Sequence, residues 1–233
     1  MQDNLPSYNI KYYSNAKKIK LKINHFGEVS ISAPKFVSHV EIKKFVESNI
    51  EWINKTKNNL NLHVRNDANY GLSIPKKINF LFNNEKYDVS YINSKLKPHV
   101  IEDQLYVFGK TDEEKLINLR QWINEQAKKI LIPRLLELGS LFDLNPLKVS
   151  VRCQKTRWGS CSSNKSINLN QNLIFLEPDL VHYLFSHELC HLKYLNHSKS
   201  FWQLVSVLDP NYKKHDQLLN MSHTRIPMWA QKR

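Results

Sequence analysis

Glycine and cysteine are both scarce in this chain of 233 residues, which contains five and three of them respectively. So few glycines argue against a repetitive barrel or a collagen-like design, and the sequence contains no internal repeat. Three cysteines are an odd number without paired spacing, which argues against a disulfide framework, a zinc ribbon and a redox dithiol. Cys161 and Cys190 are therefore interpreted as small packing residues.

Long apolar runs are also lacking. No segment approaches the ~20 apolar residues that cross a bilayer, and the N-terminus has no apolar signal-peptide core. A cytoplasmic protein without membrane contact is therefore predicted. The hydrophobic content of 41% is typical of a globular chain, and the length allows one large domain or two small ones. The oligomeric state is left open.

Acidic residues are outnumbered, since 34 lysines and arginines oppose 21 aspartates and glutamates and give a formal net charge of +13. An excess of this size attracts polyanions such as nucleic acid or nucleotides. The alternative is a lysine-rich composition with no such partner. Because the lysines are spread from Lys17-Lys18 to Lys213-Lys214, no dedicated nucleic-acid arm is predicted.

Alternating apolar and polar residues predict a β-rich first half. Residues 18–31 alternate around a turn at His25-Phe26-Gly27, which predicts a β-hairpin. Ser38 and Glu41 form a capping box that opens a helix. Further strands are predicted over residues 77–82, 87–92 and 105–108, which gives a mostly antiparallel sheet.

The second half is predicted to be richer in helix. A capping box at Thr111 and Glu114 opens the longest helix, which Pro133 should kink or interrupt and Gly139 should end. Two short strands over residues 148–152 and 166–170 flank a polar turn at residues 156–164. A later helix begins near Pro178, a residue favoured in a first helical turn.

These elements predict the α+β fold class. A soft boundary near residue 110 separates residues 1–110, which are β-rich with one helix, from residues 111–233. One composite globule and two independent domains both remain open.

The segment His187-Glu188-Leu189-Cys190-His191 has the H-E-x-x-H pattern. On a helix, residues four apart are offset by only about 40°, so both imidazoles project to one side and can share a cation. Glu188 lies about 100° round from His187 and can approach a metal-bound water without displacing a ligand. Zinc lowers the pKa of such a water to about 7, and a carboxylate within reach can take its proton. Glu188 is therefore the predicted catalytic residue.

Catalytic zinc needs a third protein ligand and an open fourth position. His197 supplies that ligand if the helix ends near Asn196, which tolerates left-handed geometry, and if Ser198 caps the next helix. The predicted metal ligands are thus His187, His191 and His197, with zinc as the cofactor. Manganese, iron and nickel remain open because imidazole accepts several divalent ions. The alternative is a histidine cluster without metal.

The histidine spacing equals that of the metzincin peptidases, but Tyr194 replaces their glycine and no methionine turn is evident, although Met221 lies downstream. A second resemblance extends over residues 150–215. It rests on Thr156-Arg157-Trp158-Gly159-Ser160-Cys161-Ser162, Ile167-Asn168-Leu169-Asn170, Pro178, the H-E-x-x-H segment and Asn196-His197-Ser198-Lys199-Ser200-Phe201-Trp202.

With these motifs the chain resembles the YgjP-like metallopeptidase family, which is related to the SprT and Wss-type zincins. The resemblance implies a zincin-like helical C-terminal part packed with an antiparallel, β-rich N-terminal part. It also implies zinc on the three histidines and a catalytic role for Glu188. It does not imply a substrate.

Several other side chains have competing interpretations. Arg157, or backbone amides around Gly159, would stabilise an oxyanion if the turn lies at the cleft edge, whereas Trp158 is interpreted as a packing residue. For Tyr194, Tyr212 and His223, packing is favoured over donation to a tetrahedral intermediate.

Asp216 or Asn170 would orient a ligand histidine, and the sequence does not choose between them. A helical stripe is interpreted as core: Phe201, Trp202, Val205 and Leu208. The histidines without ligand spacing are interpreted as ordinary: His25, His39, His63, His99 and His182.

Three functional hypotheses remain. The favoured one is a zinc metallopeptidase that cleaves a peptide or protein with a metal-activated water and Glu188. The second is a metal-dependent hydrolase of nucleotides or other phosphate esters, in which basic side chains clamp phosphate. The third is a non-catalytic basic interaction protein with structural zinc, although structural sites usually close the fourth position with cysteine or histidine.

Overall fold

The computed structural model describes residues 5–23, 27–64 and 74–231, apart from the side chains of residues 59–64. The chain forms two compact units, Met1–Tyr70 and Gly71–Arg233. This division does not coincide with the boundary near residue 110 that the sequence predicted. Among the helices in the described ranges, none combines the length and apolarity needed to cross a bilayer.

The first unit contains a three-stranded sheet and two helices. The strands are β1 (Tyr8–Tyr13), β2 (Lys20–Ile23) and β3 (Val29–Pro34), in the order β1-β3-β2. Helices α1 (His39–Ser48) and α2 (Ile50–Val64) follow. The antiparallel pairing of β2 with β3 confirms the predicted hairpin, whereas β1, which the sequence analysis missed, pairs with β3 in parallel.

One face of this sheet forms a small core with α1 and α2. Its buried residues are Val29, Ile31, Ala33, Ile42, Val46 and Ile53. The predicted capping box is confirmed, because Ser38 N donates to Glu41 Oε2 at 2.9 Å and Glu41 N donates to Ser38 Oγ at 3.3 Å. The predicted turn residues His25 and Phe26 lie outside the described residues.

The second unit begins with a four-stranded sheet of order β4-β5-β7-β6. Its strands are β4 (Lys77–Phe80), β5 (Glu85–Ile92), β6 (His99–Ile101) and β7 (Gln104–Phe108). β6 and β7 form an antiparallel hairpin. On its other side β7 pairs with β5 in parallel. Phe80 stacks on Trp122 with a centroid distance of 5.8 Å, which explains why this sheet belongs with the residues after 110.

Helix α3 (Asp112–Leu141) continues through Pro133, so the predicted interruption at this residue is wrong. Thr111 caps it by accepting from Glu114 N at 3.2 Å. Gly139 does not end the helix. A Cβ on Gly139 would lie 2.5 Å from the Leu144 carbonyl oxygen and 3.1 Å from Leu189 Cδ2, so the glycine makes room first for the chain that follows α3 and then for a side chain of the histidine-bearing helix.

The third sheet lies beside the histidine motif. Its strands are β8 (Lys148–Arg152), β9 (Gly159–Cys161) and β10 (Ser166–Asn170), with β10 in the centre. β9 was predicted as part of a polar turn. β10 pairs with β8 in parallel and with β9 antiparallel, so all three sheets are mixed. The α+β class is confirmed, but the predicted antiparallel character describes only part of each sheet.

Three helices complete the second unit: α4 (Pro178–Cys190), α5 (Lys199–Leu208) and α6 (Tyr212–Met221). α4 starts at Pro178 as predicted. It contacts both α5 and α6, and its apolar side chains belong to the large core of this unit.

Candidate metal centre

The end of α4 brings the first two histidines together. His187 lies in its last turn and His191 follows its last residue, Cys190. Because four residues make slightly more than one helical turn, the two rings face the same side, with centroids 4.9 Å apart.

A turn over residues 191–197 returns the chain to this point. The helix ends earlier than predicted, and Asn196 is not among the described residues with positive φ, so the expected left-handed cap is wrong. Ser198 caps α5 as predicted, since Phe201 N donates to its Oγ at 3.4 Å. His197 stands immediately before this cap, and its Nε2 lies 3.1 Å from His187 Nε2.

The three predicted ligands therefore form one cluster, in which one ligand atom from each histidine lies within 4.8 Å of the others. His191 Nδ1 lies 2.9 Å from the Tyr194 carbonyl oxygen, to which it donates in the tautomer that leaves Nε2 free for a metal. Burial, followed by the neighbouring His191 and His197, lowers the pKa of His187 to about 3. A neutral imidazole is the form that ligates, so this donor set fits zinc and similar divalent ions.

Tyr183 and Asp216 lie behind His187. Tyr183 Oη donates to Asp216 Oδ1 at 2.8 Å and lies 3.4 Å from His187 Nδ1. With its proton committed to the carboxylate, the hydroxyl accepts from Nδ1–H, which directs the His187 Nε2 lone pair toward the cluster. Of the two predicted orienting residues, the structure thus places Asp216 behind a ligand, acting through Tyr183.

Asn170 has a different role. Its side-chain amide donates to the carbonyl oxygens of Gln154 at 2.9 Å and Arg157 at 2.8 Å. Its backbone N–H donates to the carbonyl oxygen of Trp158 at 2.8 Å. Asn170 therefore fixes the loop that leads into β9.

Glu188 is buried, with 5% of its surface exposed. Its Oε2 atom has no hydrogen-bond partner among the described residues. Burial raises the pKa of this carboxyl to about 8, and the positive charge of Arg157 opposes that shift. An orphaned, buried carboxyl oxygen on the residue that follows His187 fits a site that is completed by a metal ion and its solvent.

Strand β9 covers one side of Glu188. Gly159 is close enough that a Cβ there would lie 2.7 Å from Glu188 Oε1. Trp158 is buried, donates from Nε1 to the Leu219 carbonyl oxygen at 3.1 Å and stacks on His223 at 4.3 Å. These contacts support the packing interpretation of Trp158 and His223, while Arg157 is exposed at the edge.

An aromatic wall formed by Phe201, Trp202 and Tyr212 supports the exposed ligand. Phe201 is buried, and its ring centroid lies within 5.1 Å of that of each ligand histidine. Trp202 stacks on His197 at 5.6 Å and on Tyr212 at 5.4 Å. Trp202 is only half-buried, so the core interpretation missed its contact with a ligand. Its position five residues after His197, on a helix capped by Ser198, was the available signal.

The other candidates lie outside the ligand set. Cys161 and Cys190 are free thiols, and burial raises their pKa values to about 11 and about 12 respectively. His182 Nε2 lies 3.1 Å from the Leu208 carbonyl oxygen, on the side of α4 that meets the end of α5. The side chain of His63 lies outside the described residues.

The α+β fold and the cluster of three histidines are those of a candidate metal-binding protein. Comparison with known proteins agrees with this class. The model of the YgjP-like family, a metallopeptidase domain, matches residues 17–222. The chain therefore belongs to the YgjP-like family, and membership makes it a metal-dependent hydrolase.

None of the curated proteins matches this chain. Among solved structures, the crystal structure of the metallopeptidase zymogen of Pyrococcus abyssi abylysin is similar at 28% sequence identity. The similarity covers 45% of this chain and 95% of that one, with a TM-score of 0.32.

Proposed function

We propose that the chain is a zinc-dependent peptidase in which His187, His191 and His197 hold the ion and Glu188 is the general base. The observation that carries this proposal is the cluster of three imidazoles whose ligand atoms lie within 4.8 Å of one another, together with the buried carboxyl of the residue that follows His187. When bound, zinc supplies Lewis acidity that lowers the pKa of a coordinated water to about 7 and polarises a carbonyl group.

The residues of the chain divide the remaining work. Glu188 Oε2, which has no partner in the described part of the chain, accepts the proton of the attacking water and later delivers it to the leaving amine. Tyr183 holds His187 in the ligating tautomer. Gly159 and the apolar surroundings of Glu188 limit the access of bulk water to the carboxylate.

The Glu188→Gln variant tests the proposal because it retains the shape of the side chain and removes the base. Metal content is measured by elemental analysis, and cleavage is followed with casein and a mixed peptide library. We expect the variant to retain zinc and to lose about 10²–10⁴-fold in kcat. Unchanged turnover in a variant that retains zinc would rule out Glu188 as the base.

A second candidate function, hydrolysis of a phosphate ester, is supported by a cavity beside β9. The cavity has a volume of about 370 Å³ and is lined by Cys153, Gln154, Lys155, Thr156, Arg157 and Ser160. Two of these six residues are cations and none is acidic. The guanidinium of Arg157 is close enough to Glu188 to influence its pKa.

Incubation of the zinc-loaded protein with nucleoside triphosphates distinguishes the two functions. Release of phosphate or pyrophosphate without peptide cleavage, together with its loss in Arg157→Gln, would favour phosphate-ester hydrolysis. Peptide cleavage without such release would favour the peptidase.

A further inference from the structure

The three-stranded sheet of the first unit has an outer face that is basic. Because side chains alternate along a strand, the residues between the buried positions project away from α1 and α2. We name this surface the basic face; it consists of Asn9, Lys11, Tyr13, Lys20, Lys22, Ser30 and Ser32.

The register of the sheet arranges these residues in rows. Lys11 of β1, Ser32 of β3 and Lys20 of β2 are direct neighbours across the sheet. In the adjacent row, Ser30 lies beside Lys22. Each row thus has a small hydroxyl on the central strand β3 and a lysine on β2. The edge strands β1 and β2 lie ~10 Å apart, on either side of β3.

The charge on this face is of one sign. None of the three strands contains an aspartate or a glutamate. Within the ranges 5–23, 27–64 and 74–231, no acidic side chain forms an ion pair with Lys11, Lys20 or Lys22. All three lysines are exposed, so their charges are available to an external anion.

We propose that the basic face binds single-stranded nucleic acid. Lysines on the two edge strands, β1 and β2, neutralise successive phosphates, and the serines of the central strand β3 leave room for the nucleic-acid backbone while offering hydrogen bonds. Tyr13 projects to the same side as Lys11 and has 45% of its surface exposed, so its ring is available to stack on an unpaired base. Duplex nucleic acid would leave this ring without a base to contact.

The test compares two variants of the full chain that lose the same charge. Lys11→Gln, Lys20→Gln and Lys22→Gln together neutralise the basic face. Lys35→Gln, Lys44→Gln and Lys55→Gln together remove three exposed lysines of the same unit that lie outside the face. Binding of fluorescein-labelled 20-nucleotide single strands, DNA and RNA, is measured by anisotropy at several salt concentrations.

We expect the first triple variant to lose about tenfold or more in affinity and to reduce the slope of log K against log salt by about 2. The control triple variant should bind nearly as well as the wild type. Tyr13→Ala should weaken binding about fivefold or more without changing the salt slope. Circular dichroism establishes that each variant is folded.

Equal losses in the two triple variants would overturn the proposal, because binding would then follow net charge rather than the face. Stronger binding to a duplex of the same sequence would overturn the single-strand assignment. Binding to vesicles of 70% phosphatidylcholine and 30% phosphatidylserine, with none to the oligonucleotides, would assign the face to a membrane surface instead.

Discussion

Gly159 and Glu188 are in such close contact that the strand residue cannot carry a side chain without moving the carboxylate. A Cβ on Gly159 would lie 2.7 Å from Oε1, 2.9 Å from Cγ and 3.0 Å from Cδ of Glu188. Cβ atoms in proteins essentially never approach another heavy atom more closely than 3.0 Å, and all three distances are at or below this limit. β9 therefore sets the position of the proposed general base, although it contributes no metal ligand.

The Gly159→Ala substitution should displace Glu188 and leave the histidines in place. Since a displacement of about 1 Å at a catalytic group can cost on the order of 100-fold, we expect kcat for peptide cleavage to fall by about tenfold or more. Zinc content should be unchanged. Ser160→Ala, one residue further along β9, is the matched control and should retain activity. A wild-type kcat in Gly159→Ala would show that Glu188 tolerates the displacement.

The contact of Tyr183 with His187 predicts an effect on metal affinity. Tyr183→Phe removes the hydroxyl that accepts from Nδ1, and Asp216→Ala removes the acceptor that fixes the hydroxyl proton. Each of these two variants should bind zinc about 10–100-fold more weakly than the wild type, as measured by competition with a chromophoric chelator. Tyr212→Phe, which alters a tyrosine that stacks on Trp202, provides the control. Unaltered affinity in both variants would show that His187 needs no such partner.

The stacking of Trp202 on His197 predicts how the third ligand is held. His197 is the exposed member of the cluster, so its ring depends on the aromatic neighbours that pack against it. Trp202→Ala should increase the rate of zinc release to a chelator by about tenfold or more, whereas Trp202→Phe should restore much of the loss. Release at the wild-type rate from Trp202→Ala would place the support of His197 on Phe201 alone.

The sequence was sufficient to predict what local periodicity determines. The histidines of α4 share a side because of helical geometry, and Ser198 caps α5 through a hydrogen bond to a residue three positions away. The approach of His197 to His187 could also be predicted, because only a short turn separates the end of α4 from His197.

Contacts between elements that are distant in the sequence could not be predicted from local spacing. Gly159 and Glu188 are separated by 29 residues, Tyr183 and Asp216 by 33 residues. Such partners are set by how strands and helices pack, and no pattern of spacing encodes them. β9 was missed because Gly159–Cys161 is short and polar, and it becomes a strand only by pairing with β10.

Burial of Glu188 predicts that the proposed base destabilises the metal-free protein. Burial raises the pKa of this carboxyl from 4.5 to about 8 in the folded state. Between these two values the folded state retains a proton that the unfolded chain has released, so stability falls as the pH rises through this window and the full cost is present above pH 8.

Glu188→Gln removes the ionisable group and with it this cost. In the presence of a chelator, the Tm of the variant should be close to that of the wild type at pH 5 and higher by about 2–4 °C or more at pH 9. Glu125→Gln, which alters an exposed glutamate of α3, is the matched control and should show no such dependence on pH. Scanning calorimetry at both pH values measures the difference. A Tm difference that is the same at pH 5 and pH 9 would show that Glu188 ionises as readily in the folded protein as in the unfolded chain.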